Sequence, residues 1–256
     1  MSDSTAIVTG ASQGIGRATA VRLARDFGAV VLVARNQAKL EETAREVEAT
    51  GARALIVPRD LAVPAAAREV VDLTLSTFGR IDALLNIAGA VPQIDLFEMT
   101  DEAWEQGLAL KLHGARRLTL AAWPALVASQ GSVVLISGNS AQFPKAPYAA
   151  VGTINAAIVA LAKAFSDRGI QDGVQVNSVL PGPVMTDRRR SYLEKWAPAH
   201  GQTVEEAIAE FPRQAGITRY GEPEDIAGLL AFLVSPQSKW MTGAALRMDG
   251  GEVKAV

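Results

Sequence analysis

The sequence predicts an α/β protein: a Rossmann-type, doubly wound parallel sheet in a three-layer αβα sandwich. Three observations point there. Short aliphatic runs alternate with longer stretches rich in Ala, Leu, Glu and Arg along the whole chain. The runs are apolar at consecutive positions, as strands buried on both faces require, and the stretches between them supply helical cover. A glycine-rich turn joins the first run to the first amphipathic stretch, where such sheets carry a phosphate-binding loop.

In chain order, strands are expected at Ala6-Ile7-Val8, Val30-Val31-Leu32-Val33, Ala54-Leu55-Ile56-Val57, Ala83-Leu84-Leu85, Val133-Val134-Leu135-Ile136 and Val174-Gln175-Val176. A late run, Ala244-Ala245-Leu246-Arg247-Met248, adds one more. No linker, repeat or low-complexity tract interrupts them, so residues 1–256 are expected to form a single domain. One segment, from Thr186 to Gly216, departs from the alternation and sets Tyr192, Leu193, Trp196, Ile208 and Phe211 among charged residues. It reads either as one or two amphipathic helices lying over the active cleft, at about 186–216, or as a surface excursion packed on its own neighbours.

Composition excludes several classes. The chain has 256 residues, 49% of them hydrophobic, so a sizeable core is available. A net charge of −2 gives no electrostatic footprint for nucleic acid or an acidic membrane, and Arg188-Arg189-Arg190 reads as a solvated face or a local phosphate contact. With no Cys, disulfides and thiol chemistry are excluded, and two His make a His-based metal site unexpected. Met1 to Ser4 lead into the first strand without a signal-peptide pattern, and no run of about 18 uncharged apolar residues is seen, so a cytoplasmic protein without a membrane span is expected.

The turn Thr9-Gly10-Ala11-Ser12-Gln13-Gly14-Ile15-Gly16 follows the first strand and opens a helix. Gly10 permits the tight bend, Gly14 lets the backbone approach a pyrophosphate, and Gly16 lets helix and sheet pack closely. The new helix points free N–H groups and partial positive charge at the phosphates. Residues Gly10, Ser12, Gln13, Gly14, Ile15 and Gly16 are therefore expected to cradle a dinucleotide. At the end of the second strand, where an acid would favour NAD, the chain has Ala34 and then Arg35. A guanidinium fork suits a 2′-phosphate, so NADP(H) is expected, with NAD(H) possible. Gln13 supplies no second cation, and a solvated Arg35 is the plainer alternative.

These residues resemble the short-chain dehydrogenase/reductase family over almost the whole chain. Thr9 to Gly16 is similar to its TGxxxGxG, and Asn86-Ile87-Ala88-Gly89 to its NNAG, with Ile for the second Asn. Asn177, Pro181-Gly182 and Thr186 match its segment beside the nicotinamide; Gly221 to Ala227 and Met248 to Gly251 match its C-terminal signatures. The resemblance implies cofactor contacts from Asp60, Leu61, Asn86, Ala88, Gly89, Asn155, Pro181, Gly182, Val184 and Thr186. It also implies a homotetramer or homodimer built on the helices around 101–129 and 150–169 and on the last strand, with Leu112, Leu118, Trp123 and Leu161 serving an interface or the core.

The family's usual catalytic set is Asn, Ser, Tyr and Lys. Counted from both sides without a gap, these fall here on Lys111, Gly138, Val151 and Asn155. Lys stands where Asn is usual and Asn where Lys is usual, which implies either an exchanged pair or two independent losses. Four residues are candidates for the chemistry. Lys111 is a desolvated acid or base, and Tyr148 lies one turn before Val151. Ser140 is a hydroxyl that orients substrate or a plain turn residue, and Asn155 is the exchanged partner. His113, two residues from Lys111, reads as a packing residue. A gapped count would make Tyr148 the usual Tyr but would put Gly152 at the Lys position. The reading is an NADP(H)-linked oxidoreductase of a small carbonyl or alcohol. The alternatives are a non-catalytic dinucleotide-binding sensor or assembly protein, and non-redox chemistry over a retained cofactor.

Overall fold

The computed structural model describes residues 3–254. Met1 and Ser2, part of the expected lead into the first strand, lie outside that range. The strands are β1 (Thr5–Thr9), β2 (Ala29–Ala34), β3 (Arg53–Pro58), β4 (Ala83–Asn86), β5 (Ser132–Ile136), β6 (Gln175–Pro181) and β7 (Ala245–Met248). All pair in parallel, in the order β3-β2-β1-β4-β5-β6-β7. The chain winds outward from β1 to β3, returns, and continues on the other side from β4. The crevice at that reversal lies beyond the carboxyl ends of β1 and β4, where open α/β sheets bind ligands.

Helices cover both faces. On one lie α1 (Gly14–Leu23), α2 (Gln37–Glu48) and α9 (Pro223–Leu233), whose Ala20, Leu23, Leu40, Val47, Leu230 and Leu233 pack with Val8, Leu32 and Leu85. On the other lie α3 (Ala66–Phe78), α5 (Ala115–Ser129) and α6 (Ala149–Asp172), with Val70, Leu118, Leu126, Ile158 and Ala162 against Ile7, Val31 and Leu84. The side chains of each strand thus serve the two cores alternately, which explains the unbroken aliphatic runs.

Three differences from expectation bear on the site. The helix expected over about 101–129 is α4 (Asp101–Gly107), a wide π turn (Leu108–Gly114) and then α5. The π turn is bracketed by glycines at close contacts. A Cβ on Gly107 would stand 2.9 Å from Ile154 Cδ1, and one on Gly114 2.9 Å from the Leu61 carbonyl. Such turns re-aim side chains, and this one carries Lys111.

Helix 146–172 is long and apolar enough by length and composition to cross a membrane, although Asn155 and Lys163 interrupt its apolar run. Its apolar character belongs to a core face: Ala150, Gly152, Ile154, Ile158 and Ala162 are buried. The segment after β6 forms α7 (Asp187–Ala199) and α8 (Val204–Ala215), which share a small core of Leu193, Ala197 and Ala207. Arg189 pins them together, its guanidinium lying 5.1 Å from the Phe211 ring centre and 5.7 Å from that of Tyr220.

Candidate functional site

A cleft of about 730 Å³ follows the carboxyl ends of the central strands. Gly10, Ser12, Gln13, Gly14, Ile15 and Gly16 line its floor. Gly10 and Gly14 hold φ of +68° and +54°, conformations that favour glycine. A Cβ on Gly16 would lie 2.1 Å from the Gly10 carbonyl oxygen. Gln13 stands at the N-cap of α1 without a side-chain capping bond to the helix, so the first-turn N–H groups are left for an anion. Bare backbone, free donors and helix polarity at one point fit a pyrophosphate.

The outer end is cationic. Arg35 is exposed and its guanidinium lies 3.9 Å from the Asp60 carboxylate. Asp60 and Leu61 line the cleft beside it. Lys39 also lines it and donates to Gln13 Oε1 at 2.9 Å. That corrects the expectation that Gln13 brings no second cation: Gln13 carries no charge but holds one in place. The sequence does contain the signal. Asn36 caps α2 by accepting from the Lys39 N–H at 3.0 Å, which sets Lys39 on the first turn facing the glycine loop.

Ala88 and Gly89 line the inner wall. Thr9 Oγ1 fastens that wall to β1, accepting from Ile87 N–H at 2.8 Å and Ala88 N–H at 2.9 Å. Asn86 is placed differently from expectation: it is buried, donates to Thr119 Oγ1 at 3.1 Å, and does not face the cleft. It ends β4, so its side chain turns into the α5 layer. Pro181 is buried at the end of β6, and Gly182 and Val184 are half-buried just beyond it. Gly182 abuts Asp249, with 2.6 Å from an added Cβ to the Asp249 Cα, and Val184 packs into the core. Thr186 lines the cleft and caps α7, accepting from Arg189 N–H at 3.2 Å. Arg188 lines it too; it is the one residue of the basic triplet that does.

Next to Gly89 lies the Lys111 stem, 3.0 Å from where a Gly89 Cβ would stand. The Lys111 ammonium donates to the Ser137 carbonyl at 3.0 Å and to Asn155 Oδ1 at 2.5 Å. Asn155 Nδ2 donates to Ser140 Oγ at 2.8 Å. Burial, reinforced by the charge of Arg188, lowers the Lys111 pKa to about 8. The structure thus brings Lys111, Asn155 and Ser140 into one network. It does not place Asn155 on the cleft wall as a cofactor contact: Asn155 is 3% exposed, and both ends of its amide are engaged within the protein.

Tyr148 stands apart from this network. It ends a short 3-10 turn (Ala146–Tyr148) just before α6 and is not among the residues lining the cleft. Val151 packs with Val91, Ala150 and Ile154. His113 is half-buried, its Nδ1 without a partner among the described residues.

A family model described as enoyl-(acyl carrier protein) reductase matches residues 10–252. L-rhamnose 1-dehydrogenase (NAD(P)(+)) from Sphingomonas sp. (strain SKA58) is 34% identical over 251 residues, covering 96% of this chain and 95% of that protein. 2,3-Dihydro-2,3-dihydroxybenzoate dehydrogenase from Bacillus subtilis is 30% identical, over 98% and 96%. Among solved structures, L-sorbose reductase from Gluconobacter frateurii, complexed with NADPH and L-sorbose, superposes with a TM-score of 0.96 at 30% identity, covering 100% of this chain and 98% of the other.

Proposed function

The chain belongs to the short-chain dehydrogenase/reductase family, and on that premise we propose that Lys111 is its proton donor and acceptor. The protein is an NAD(P)-dependent oxidoreductase acting between a carbonyl and an alcohol, with NADP(H) the preferred cofactor. When bound, the cofactor supplies the hydride. The chain's own residues do the rest. The glycine turn holds the pyrophosphate, and Arg35 and Lys39 hold the 2′-phosphate. Lys111 protonates the substrate oxygen during reduction and accepts that proton during oxidation, while Ser140 orients the same oxygen.

One observation carries this reading: a lysine ammonium, its stem against the cleft-lining Gly89, is bonded to the Ser137 carbonyl and to Asn155 Oδ1. The relatives named for sugars make ketoses and aldoses the first substrates to test. The experiment follows loss of NADPH absorbance across a panel of small ketones, ketoses and aldoses. Turnover on at least one class is expected. Tight NADPH binding with no turnover on any would favour the non-catalytic reading.

Cofactor choice has its own check. Arg35→Ala and Lys39→Ala are each expected to weaken NADPH by about tenfold to a hundredfold, the worth of one charge-assisted contact, and to leave NADH nearly unchanged. Equal losses for both cofactors in a binding titration would count against the 2′-phosphate contact.

The chain is further read as a homodimer or homotetramer through α5 and α6. Leu118 is fully buried, and Leu112, Trp123 and Leu161 are half-buried against the core. The exposed large apolar residues of these helices are Leu120, Val127 and Ile170. Light scattering on the purified protein, with Leu120→Glu as the disrupting variant, tests it.

A further inference from the structure

Gly138 has no conformational reason to be glycine. Its backbone is extended, with φ 170° and ψ 156°. Space is the reason: a Cβ at 138 would stand 2.5 Å from Asn155 Nδ2. The Asn155 amide fills the volume that a side chain at 138 would need.

Donor chemistry fixes what the amide does there. An ammonium only donates, so the Asn155 atom facing Lys111 is the carbonyl oxygen, and its NH2 faces Ser140. Ser137 holds the arrangement from both sides: its carbonyl accepts from Lys111, and its hydroxyl donates to the Asn155 backbone carbonyl at 2.7 Å. Ser140 Oγ therefore accepts, and among the described residues its hydroxyl donates to nothing. Three donors run in one direction, from the Lys111 ammonium through the Asn155 amide to the Ser140 hydroxyl. Hydrogen bonds aligned in this way polarise one another.

We propose that Asn155 is a positioning residue. Its amide, admitted by the bare Gly138, orients Lys111 and turns Ser140 into a donor presented to the substrate oxygen. Asn155 exchanges no proton; Lys111 gives and takes it. The proposal rests on the reading of Lys111 as the proton donor. The charged group facing Lys111 is Arg188 at the start of α7. The 137–140 segment and α6 bring the neutral Ser137, Ser140 and Asn155, and the 87–90 wall brings no charge.

Two measurements test it. Nitrogen-15 NMR of lysine-labelled protein, with Lys111→Met to assign the signal, follows the Lys111 titration without reference to activity. Asn155→Asp sets a carboxylate against the ammonium and is expected to raise its pKa by about one unit or more. Gly138→Ala is expected to displace the amide and move the titration as well. It should also lower kcat about tenfold to a hundredfold, with NADPH affinity held within about twofold.

The second measurement is a double-mutant cycle on kcat. If Gly138 is bare only to admit Asn155, Gly138→Ala adds nothing in an Asn155→Ala background. An unmoved Lys111 titration in Gly138→Ala, or a full extra loss in the double variant, overturns the proposal. Undiminished turnover in Lys111→Met sinks the reading beneath it instead, so the two failures are distinct.

Discussion

Replacing Lys111 by Met is expected to slow carbonyl reduction by about a hundredfold to ten-thousandfold, the usual worth of a positioned proton donor. NADPH should bind as before, because Lys111 lies beyond the cleft lining and touches Ser137 and Asn155. The wild-type pH profile carries the same information. Burial and the Arg188 charge both disfavour the ammonium, so its pKa falls from the ordinary lysine value to about 8. Reduction needs the protonated form. It should be full below that pH and decline above it, by about tenfold per unit once titration is complete. Oxidation needs the neutral amine and should rise through the same pH to a plateau. In Lys111→Met both limbs should vanish. Tyr148→Phe should leave them in place, since the hydrogen bonds that hold Lys111 run to Ser137 and Asn155 and not to Tyr148. A wild-type profile flat between pH about 6 and 10 would falsify the assignment.

The fold was open to reading because its signals are local and repeated. Each strand is an aliphatic run, and the glycine turn lies between a strand and a helix, the context that gives the motif its meaning. Strands found by their apolar runs are reproduced to within a few residues; β6 reaches further, to Pro181, because the buried Asn177 pairs with Val134 of β5 and the buried Ser178 with Leu135 of β5 and Ala245 of β7. Arg35 was visible as the first cation after β2.

What escaped the sequence depends on contacts between distant residues. Lys39 is an ordinary helix lysine until Gln13 is seen beside it, 26 residues away in the chain. Asn86 carries a family motif, yet its side chain turns to Thr119. Gly138 stands where the family resemblance puts a Ser; only the closeness of Asn155 shows what its bareness leaves room for.

Gly16→Ala should do more damage than any other single-methyl change in the cofactor turn. The new Cβ would stand 2.1 Å from the Gly10 carbonyl oxygen and 2.5 Å from its carbon, both backbone atoms of the same turn, with no flexible side chain to give way. Either α1 moves off the sheet or the turn opens, and both displace the N–H groups that face the pyrophosphate. Forced overpacking of this kind costs about 1–3 kcal/mol, which in a chain of this size lowers Tm by roughly 2–12 °C. NADPH affinity should fall further than stability does, because the cradle itself is deformed. The matched control is Gly228→Ala in α9, where an added Cβ meets nothing within 4 Å. There the substitution should raise stability by about 0.4–1 kcal/mol, through a less flexible unfolded chain, and leave cofactor binding alone. If calorimetry and NADPH titration found the two alanine variants alike, the glycine at 16 would not be serving close approach, and the turn's fit to a dinucleotide would lose its main geometric support.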